Sequence, residues 1–202
     1  EFEDVVALLP EGSRAALLVE FYAEDNSDGR EQTAALLDDR VEVTTEDSSE
    51  DNEWYAFDGL EAHSADERAR FWKLRKSGMP ILMSRTSDAK HISFLEDCAV
   101  PPEHLPEFVE EFQELLEEHD TFASFYAHAG PGVLHVRPLL DTKSEVDLEA
   151  MEAIGETVTD MVVEFGGSVS GEHGDGRART QWNRKLYGDQ LWGAFQNLKS
   201  AF

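Results

Sequence analysis

The sequence predicts an α+β fold, with helices packed on one antiparallel sheet. Three observations predict it. Amphipathic helical stretches alternate with short β-rich runs; two of those runs flank a glycine-proline turn that reads as a hairpin; and no glycine-rich phosphate turn opens a repeated parallel crossover, as a doubly wound sheet would require. The chain has 202 residues, 41% of them hydrophobic. That is enough for one substantial core, and it excludes a disordered chain, a collagen-like fibre and a disulfide-framed miniprotein. No stretch approaches the roughly 18 to 20 uncharged apolar residues of a membrane span. Cys98 is the single cysteine, so there is neither an internal disulfide nor a CxxC metal or redox spacing.

In chain order, Ala15 to Ala23 is apolar and β-rich and precedes the turn-forming Asn26-Ser27-Asp28-Gly29, which predicts a central strand. Arg30 to Asp39 has helical spacing, and Arg40 to Thr45 alternates as a strand. Glu46 to Glu53 carries five acids in eight residues and reads as a solvated loop. Ser64 to Gly78 opens on a serine cap, and Gly78 and Pro80 predict its end. Ile81 to Ser84 and Ile92 to Asp97 read as short strands, the second closed by Pro101-Pro102. From Glu103 to His119, Leu105, Phe108, Val109, Phe112, Leu115 and Leu116 trace an apolar stripe on an acidic helix. Thr121 to His128 and Val133 to Leu140 form the hairpin around Ala129-Gly130-Pro131-Gly132. A helix follows, with Leu148, Met151, Ile154, Val158, Met161, Val162 and Phe165 on one face and Gly166-Gly167 stopping it. Ser168 to Ser170 is a short strand, and Thr180 to Phe202 is helical with Leu186, Leu191, Phe195 and Leu198 inward. There is no internal repeat and no linker, so residues 1–202 read as one domain.

Charge narrows the functional classes. Forty-three acids face 17 bases, for a formal net charge of -26. Such a surface repels nucleic-acid backbones and anionic headgroups, which argues against a nucleic-acid or membrane-surface role. It also repels itself unless salt screens it. Lysine is scarce and the acid is spread along the whole chain, the composition of a halophilic surface built to stay dissolved in concentrated salt.

Candidate chemistry concentrates in two glycine-rich segments. In FYAHAGPGVLHVRP, His128 and His135 bracket the hairpin turn with six residues between them, so closing the hairpin brings both imidazoles to one end of the sheet. A divalent metal needs such convergent neutral imidazoles, usually completed by a carboxylate. In SVSGEHGDGRAR, Glu172 and His173 lie between glycines on a bend, where neighbours need not point to opposite faces as they would on a strand. By spacing alone, polar strand residues beside a turn plus a loop histidine remain the favoured reading.

The two segments in this order resemble the C-terminal substrate domain of FAD-linked oxidases, the group that includes D-lactate dehydrogenases, glycolate oxidase flavoprotein subunits and D-2-hydroxyglutarate dehydrogenases. The resemblance covers Phe71 to Phe202 well and the preceding residues loosely, SGEHGDG being its most specific part. HVRP resembles the long members fused to an iron-sulfur domain. The resemblance implies a ferredoxin-like substrate domain. It further implies that His128, His135 and Glu172 bind a divalent metal (zinc, manganese or iron) and that His173 is the base on the substrate hydroxyl. FWKLRKSG resembles the family's tryptophan-containing helix and KHISFLEDCAVP its lysine-containing strand, which makes Arg75 and Lys90 the candidates for the substrate carboxylate.

Two departures bear on substrate. Hydroxy-acid members commonly carry H-x-G-D-G-N-x-H in the hairpin, where this chain has Pro131 and Val133, and commonly place a hydroxyl one turn after the arginine, where this chain has Met79. Specificity for 2-hydroxyglutarate therefore does not carry over, while the metal ligands do. Arg177, Arg179, Arg184 and Lys185 make a local basic concentration, suited to a substrate or flavin phosphate or to a neighbouring domain. His63, His91, His104 and His119 read as solvated, and Phe71, Trp72, Trp182, Trp192 and Phe195 as core.

The resemblance implies a cytoplasmic FAD-dependent dehydrogenase of a D-2-hydroxy acid of the lactate or glycolate type, of which this chain is an internal segment. Its flavin would be held by an FAD-binding domain outside the chain, and its electrons would pass to an iron-sulfur domain or subunit, or to a quinone pool. The alternatives are a non-catalytic metal-binding or interaction module, and another alcohol oxidase of the same flavin superfamily.

Overall fold

The computed structural model describes residues 6–41 and 56–202. They fall into two compact units, Glu1–Ile81 and Leu82–Phe202. The predicted loop at Glu46 to Glu53 lies outside the described residues, as does most of the strand predicted at Arg40 to Thr45, of which Val41 bridges to Ala56.

In the first unit, helix α1 spans Asn26–Arg40 and starts where a turn was predicted. The Asp25 carboxylate caps it, accepting from the Ser27 and Asp28 amides at 2.7 and 3.0 Å. Asn-Ser-Asp-Gly is therefore a helix entry, the other common use of such residues. Ala15 to Ala23 forms no strand. Strand propensity is realised through cross-strand packing, and this run has no ladder partner among the described residues. Helix α2, Ala65–Met83, begins with the predicted cap: the Glu67 carboxylate accepts from the His63 and Ser64 amides while the Ser64 hydroxyl accepts from the Glu67 amide. These bonds hold the Glu67 carboxyl down at about 2. The helix passes through Gly78 and Pro80 and absorbs most of the strand predicted at Ile81 to Ser84, an apolar run too short to betray its period.

The second unit is a four-stranded antiparallel sheet with helices on one face. Strands β1 (Lys90–His91), β2 (Cys98–Ala99), β3 (Ala123–His128) and β4 (Val133–Leu140) place β4 at the centre, with β3 along one side and β1 and β2 in succession along the other. A single antiparallel bridge, Ala99 to Ser168, adds a fourth position beyond β2. The resulting β-α-β-β-α-β order, with the first and third strands inside, is the ferredoxin-like arrangement within the predicted α+β class.

The strand predicted at Ile92 to Asp97 is the part that differs most. Eight residues from His91 to Cys98 run against six of β4, from Leu139 to Leu134, so the chain bulges between the two pairings. Phe94 and Leu95 enter the core from this bulge, and Glu96 and Asp97 emerge on its other side.

Helix α3 (Leu105–Glu118) and helix α4 (Glu145–Glu164) match the predicted helices. Phe108, Phe112, Leu115 and Leu116 of α3 and Ile154, Val158, Met161 and Val162 of α4 share one core with Leu134, Val136 and Leu140 of β4. Those β4 residues alternate, so the intervening Val133, His135, Arg137 and Leu139 occupy the opposite face. A short helix α5 (Gly176–Arg179) leads through a 3-10 turn to α6 (Asn183–Ala201). Only Leu186 of the four predicted inward residues packs against the core; Leu191, Phe195 and Leu198 are exposed, because Gly188 takes a non-helical conformation and redirects the helix. Trp182 is buried as predicted, whereas Trp72 is partly exposed and bonds to Glu20.

The hairpin closes against the sheet through Gly132. Its φ is +75°, and a Cβ there would stand 1.9 Å from the Val100 carbonyl oxygen. Gly132→Ala is therefore expected to destabilise the chain by about 2–3 kcal/mol, read as a lower urea midpoint with an unchanged m-value.

Candidate metal centre and active site

The site is assembled on the sheet face opposite the core. Register sets Tyr126 opposite His135 and His128 opposite Val133, so His128 lies diagonally across from His135 with ring centroids 5.4 Å apart. The predicted convergence of the two hairpin histidines is present.

Glu172 and His173 come from the bend after the Ser168 bridge. The approach requires a glycine at position 167, where a Cβ would meet the Ala99 carbonyl oxygen at 2.2 Å. Beyond it, the fully buried Asp97 carboxylate gathers the bend: it accepts from the Ser170 hydroxyl at 2.7 Å, the Glu172 amide at 3.1 Å and the His173 amide at 2.8 Å. Its main-chain carbonyl takes the Gly171 amide at 2.8 Å. Burial pushes the Asp97 carboxyl up, but these hydrogen bonds outweigh it and the net shift is downward.

Glu172 Oε2 then stands among three imidazoles, 3.9 Å from His128 Nε2, 3.5 Å from His135 Nε2 and 3.9 Å from His173 Nε2. The His135 and His173 rings stack at 5.0 Å and 10°. Asp97, His135, Glu172 and His173 can bring ligand atoms within 4.8 Å of one another. Asp97 already spends its oxygens on the bend. The groups that could hold a divalent metal are the Nε2 atoms of His135 and His173 with the Glu172 carboxylate, and His128 Nε2 approaches the same Glu172 oxygen at 3.9 Å, a nitrogen-oxygen set.

Two residues in contact with the candidate site escaped the sequence reading. Glu96 is 8% exposed; its carbonyl oxygen lies 2.6 Å from His135 Nδ1 and its Oε1 lies 2.9 Å from His173 Nδ1. The hydrogen bond to Glu96 raises the His173 pKa above its ordinary value, with burial opposing it. Arg137, on the site face of β4, reaches Glu96 Oε2 at 3.4 Å, and its Nε is buried without a hydrogen-bond partner among the described residues. The available signal was the acid pair Glu96-Asp97 inside an apolar run: two adjacent carboxylates in a core strand are costly unless each is paired.

The other predicted residues fall elsewhere. Lys90 pairs with Leu140 at the far end of β4, about 17 Å of strand from His135, and donates to the Arg85 carbonyl. The structure does not bring it to the histidines. Arg75 is on α2 of the first unit, where burial lowers its pKa. The basic concentration is largely consumed internally. Arg179 turns inward to Glu96 and the Gly174 carbonyl, Arg184 pairs with Asp189 at 2.6 Å, and Lys185 pairs with Glu156 and Asp160 at 2.8 Å. His91 is not simply solvated, since its Nδ1 lies 3.1 Å from the Arg137 carbonyl oxygen. Cys98 is buried and its thiol is pushed up to about 12, which makes it inert.

Fold and site together define a ferredoxin-like domain with a histidine-carboxylate centre on the open face of its sheet. The chain belongs to the FAD linked oxidases, C-terminal domain family, whose model matches residues 2–202. It is 34% identical over 133 residues to a D-2-hydroxyglutarate dehydrogenase of Haemophilus influenzae, covering 66% of this chain and 13% of that protein. A D-2-hydroxyglutarate dehydrogenase of Pantoea ananatis is 37% identical with the same coverage. The glycolate oxidase subunit GlcD of Escherichia coli is 31% identical over 142 residues, 70% of this chain and 28% of that protein. The chain thus spans only a minor part of these relatives.

Asp97→Asn would turn an amide donor toward main-chain N–H groups. We expect a loss of about 1–3 kcal/mol at neutral pH. Because the folded-state pKa of Asp97 is lowered, its contribution is complete above the unfolded carboxylate value and lost as pH falls through the folded one. The difference in urea midpoint between wild type and Asp97→Asn should therefore begin to narrow below about pH 4 and close at still lower pH.

Proposed function

We propose that this chain is the substrate domain of an FAD-dependent dehydrogenase that oxidises a D-2-hydroxy acid, of the lactate or glycolate type, to the 2-oxo acid. The observation that carries the reading is the Glu172 oxygen surrounded by three imidazole Nε2 atoms at 3.5–3.9 Å. In a chain of the FAD linked oxidases, C-terminal domain family, that arrangement supports reading the cluster as a metal site with an adjacent base.

His128, His135 and Glu172 hold the divalent metal, either zinc, manganese or iron. Metal and flavin, when bound, supply a Lewis acid for the substrate oxygens and a hydride acceptor respectively. His173 Nε2 takes the hydroxyl proton. Arg137 adds positive charge to the same sheet face, two residues along β4 from His135, and favours a carboxylate-bearing ligand there. Arg75 keeps its candidate role toward the substrate carboxylate through the family resemblance, while Lys90 is replaced in this reading by Arg137. The FAD-binding domain lies outside this chain, and electrons leave through an iron-sulfur domain or a quinone pool. The cytoplasmic setting is proposed through the family resemblance; among the described residues no helix is long and apolar enough to cross a membrane. The acidic surface supports one of high salt.

In the full-length parent at high salt, a visible spectrum followed by dye reduction with D- and L-2-hydroxy acids tests the proposal. Flavin bands bleached by a D-acid are expected, and removal of the metal by a chelator should lower kcat/KM by about 100-fold or more. His135→Ala should abolish stoichiometric metal content. A colourless protein, or one that no hydroxy acid bleaches, would leave only a metal-binding module.

A further inference from the structure

We infer that Glu96 is the positioning residue that fixes which nitrogen of both site imidazoles is left bare, acting on His135 through its main chain and on His173 through its side chain. The inference rests on the proposed role of His173 as base, but its first test does not need that role to be right.

A neutral imidazole carries one proton, and the partner of one ring nitrogen decides the state of the other. The Glu96 carbonyl oxygen is 2.6 Å from His135 Nδ1 and can only accept, so Nδ1 is the donor and Nε2 is left as a lone pair toward Glu172. Glu96 Oε1 does the same for His173 at 2.9 Å, leaving His173 Nε2 bare on the same side. The carboxylate is itself held from two directions, by Arg179 Nη1 at 3.5 Å on Oε1 and Arg137 Nη2 at 3.4 Å on Oε2. Arg179 is 5% exposed and anchored to the Gly174 carbonyl, which ties the carboxylate to the bend that carries His173. One residue on the β1–β2 bulge thereby sets a ligand on β4 and a base on a separate loop.

The two effects separate by mutation, because replacing the side chain leaves the carbonyl in place. Long-range nitrogen-proton NMR of the 202-residue chain, metal-free and at alkaline pH where the imidazoles are neutral, should show both His135 and His173 protonated on Nδ1. In Glu96→Ala, His173 should shift to the Nε2-protonated form while His135 stays as it was and reports that the fold survives. Glu96→Gln, which keeps an acceptor oxygen, should fall between the two. In the parent enzyme, kcat should follow the Nδ1-protonated fraction of His173 in the order Glu, Gln, Ala, with a total loss of about 10- to 100-fold and KM and metal content little changed. An unchanged His173 tautomer in Glu96→Ala, or a kcat equal to wild type in both variants, would overturn the inference. Should Glu96→Ala not fold, Glu96→Gln decides alone, and wild-type values on both readouts would overturn it. Failure of the wild-type parent to oxidise any hydroxy acid would instead remove the proposed function and leave the tautomer result standing.

Discussion

The Asp97 carboxylate is a buried anion satisfied by three donors from one short bend, and the placement of Glu172 and His173 follows from it. Without those bonds, the segment from Ser170 to His173 would keep the Ser168 bridge, the Gly171 amide on the Asp97 main-chain carbonyl and the His173–Glu96 contact, but its Glu172 and His173 amides would lose their acceptor. A buried carboxylate left unpaired is so costly that the bend has little freedom to drift. The constraint is reciprocal, since Asp97 is tolerable at 0% exposure only because the bend comes to it.

The bulge between β1 and β2 makes that pairing possible. A regular strand would point Glu96 and Asp97 to opposite faces, one of them into the apolar core. The two extra residues turn the chain so that Asp97 meets main-chain amides and Glu96 meets side chains, while Phe94 and Leu95 keep the core filled. Neighbouring acids thus divide the work: one shapes the loop, and the other meets the imidazole of His173 on that loop and of His135 on β4.

How much of this the sequence disclosed depends on the range of the forces involved. The hairpin, α3 and α4 are long periodic segments whose own residues specify them, and they were legible. The convergence of His128, His135 and Glu172 was visible as histidines flanking a turn and an acid among glycines. The bulge was not, because it depends on how β1 and β2 each register with a strand forty residues away; nor was the exposure of Leu191, Phe195 and Leu198, which follows from one glycine taking a non-helical angle. Lys90 looked plausible because it opens the right strand, but the register puts it at the wrong end.

Strand β4 carries alternate residues into two different kinds of environment. Leu134, Val136 and Leu140 are locked among α3 and α4, whereas His135 and Arg137 face the site. A change of chemistry on this strand therefore requires no repacking, and a change of packing need not disturb the chemistry. Such a strand lets a lineage explore new substrates at odd-numbered positions while the even-numbered ones keep the scaffold constant, so related enzymes could diverge in what they oxidise long before they diverge in shape.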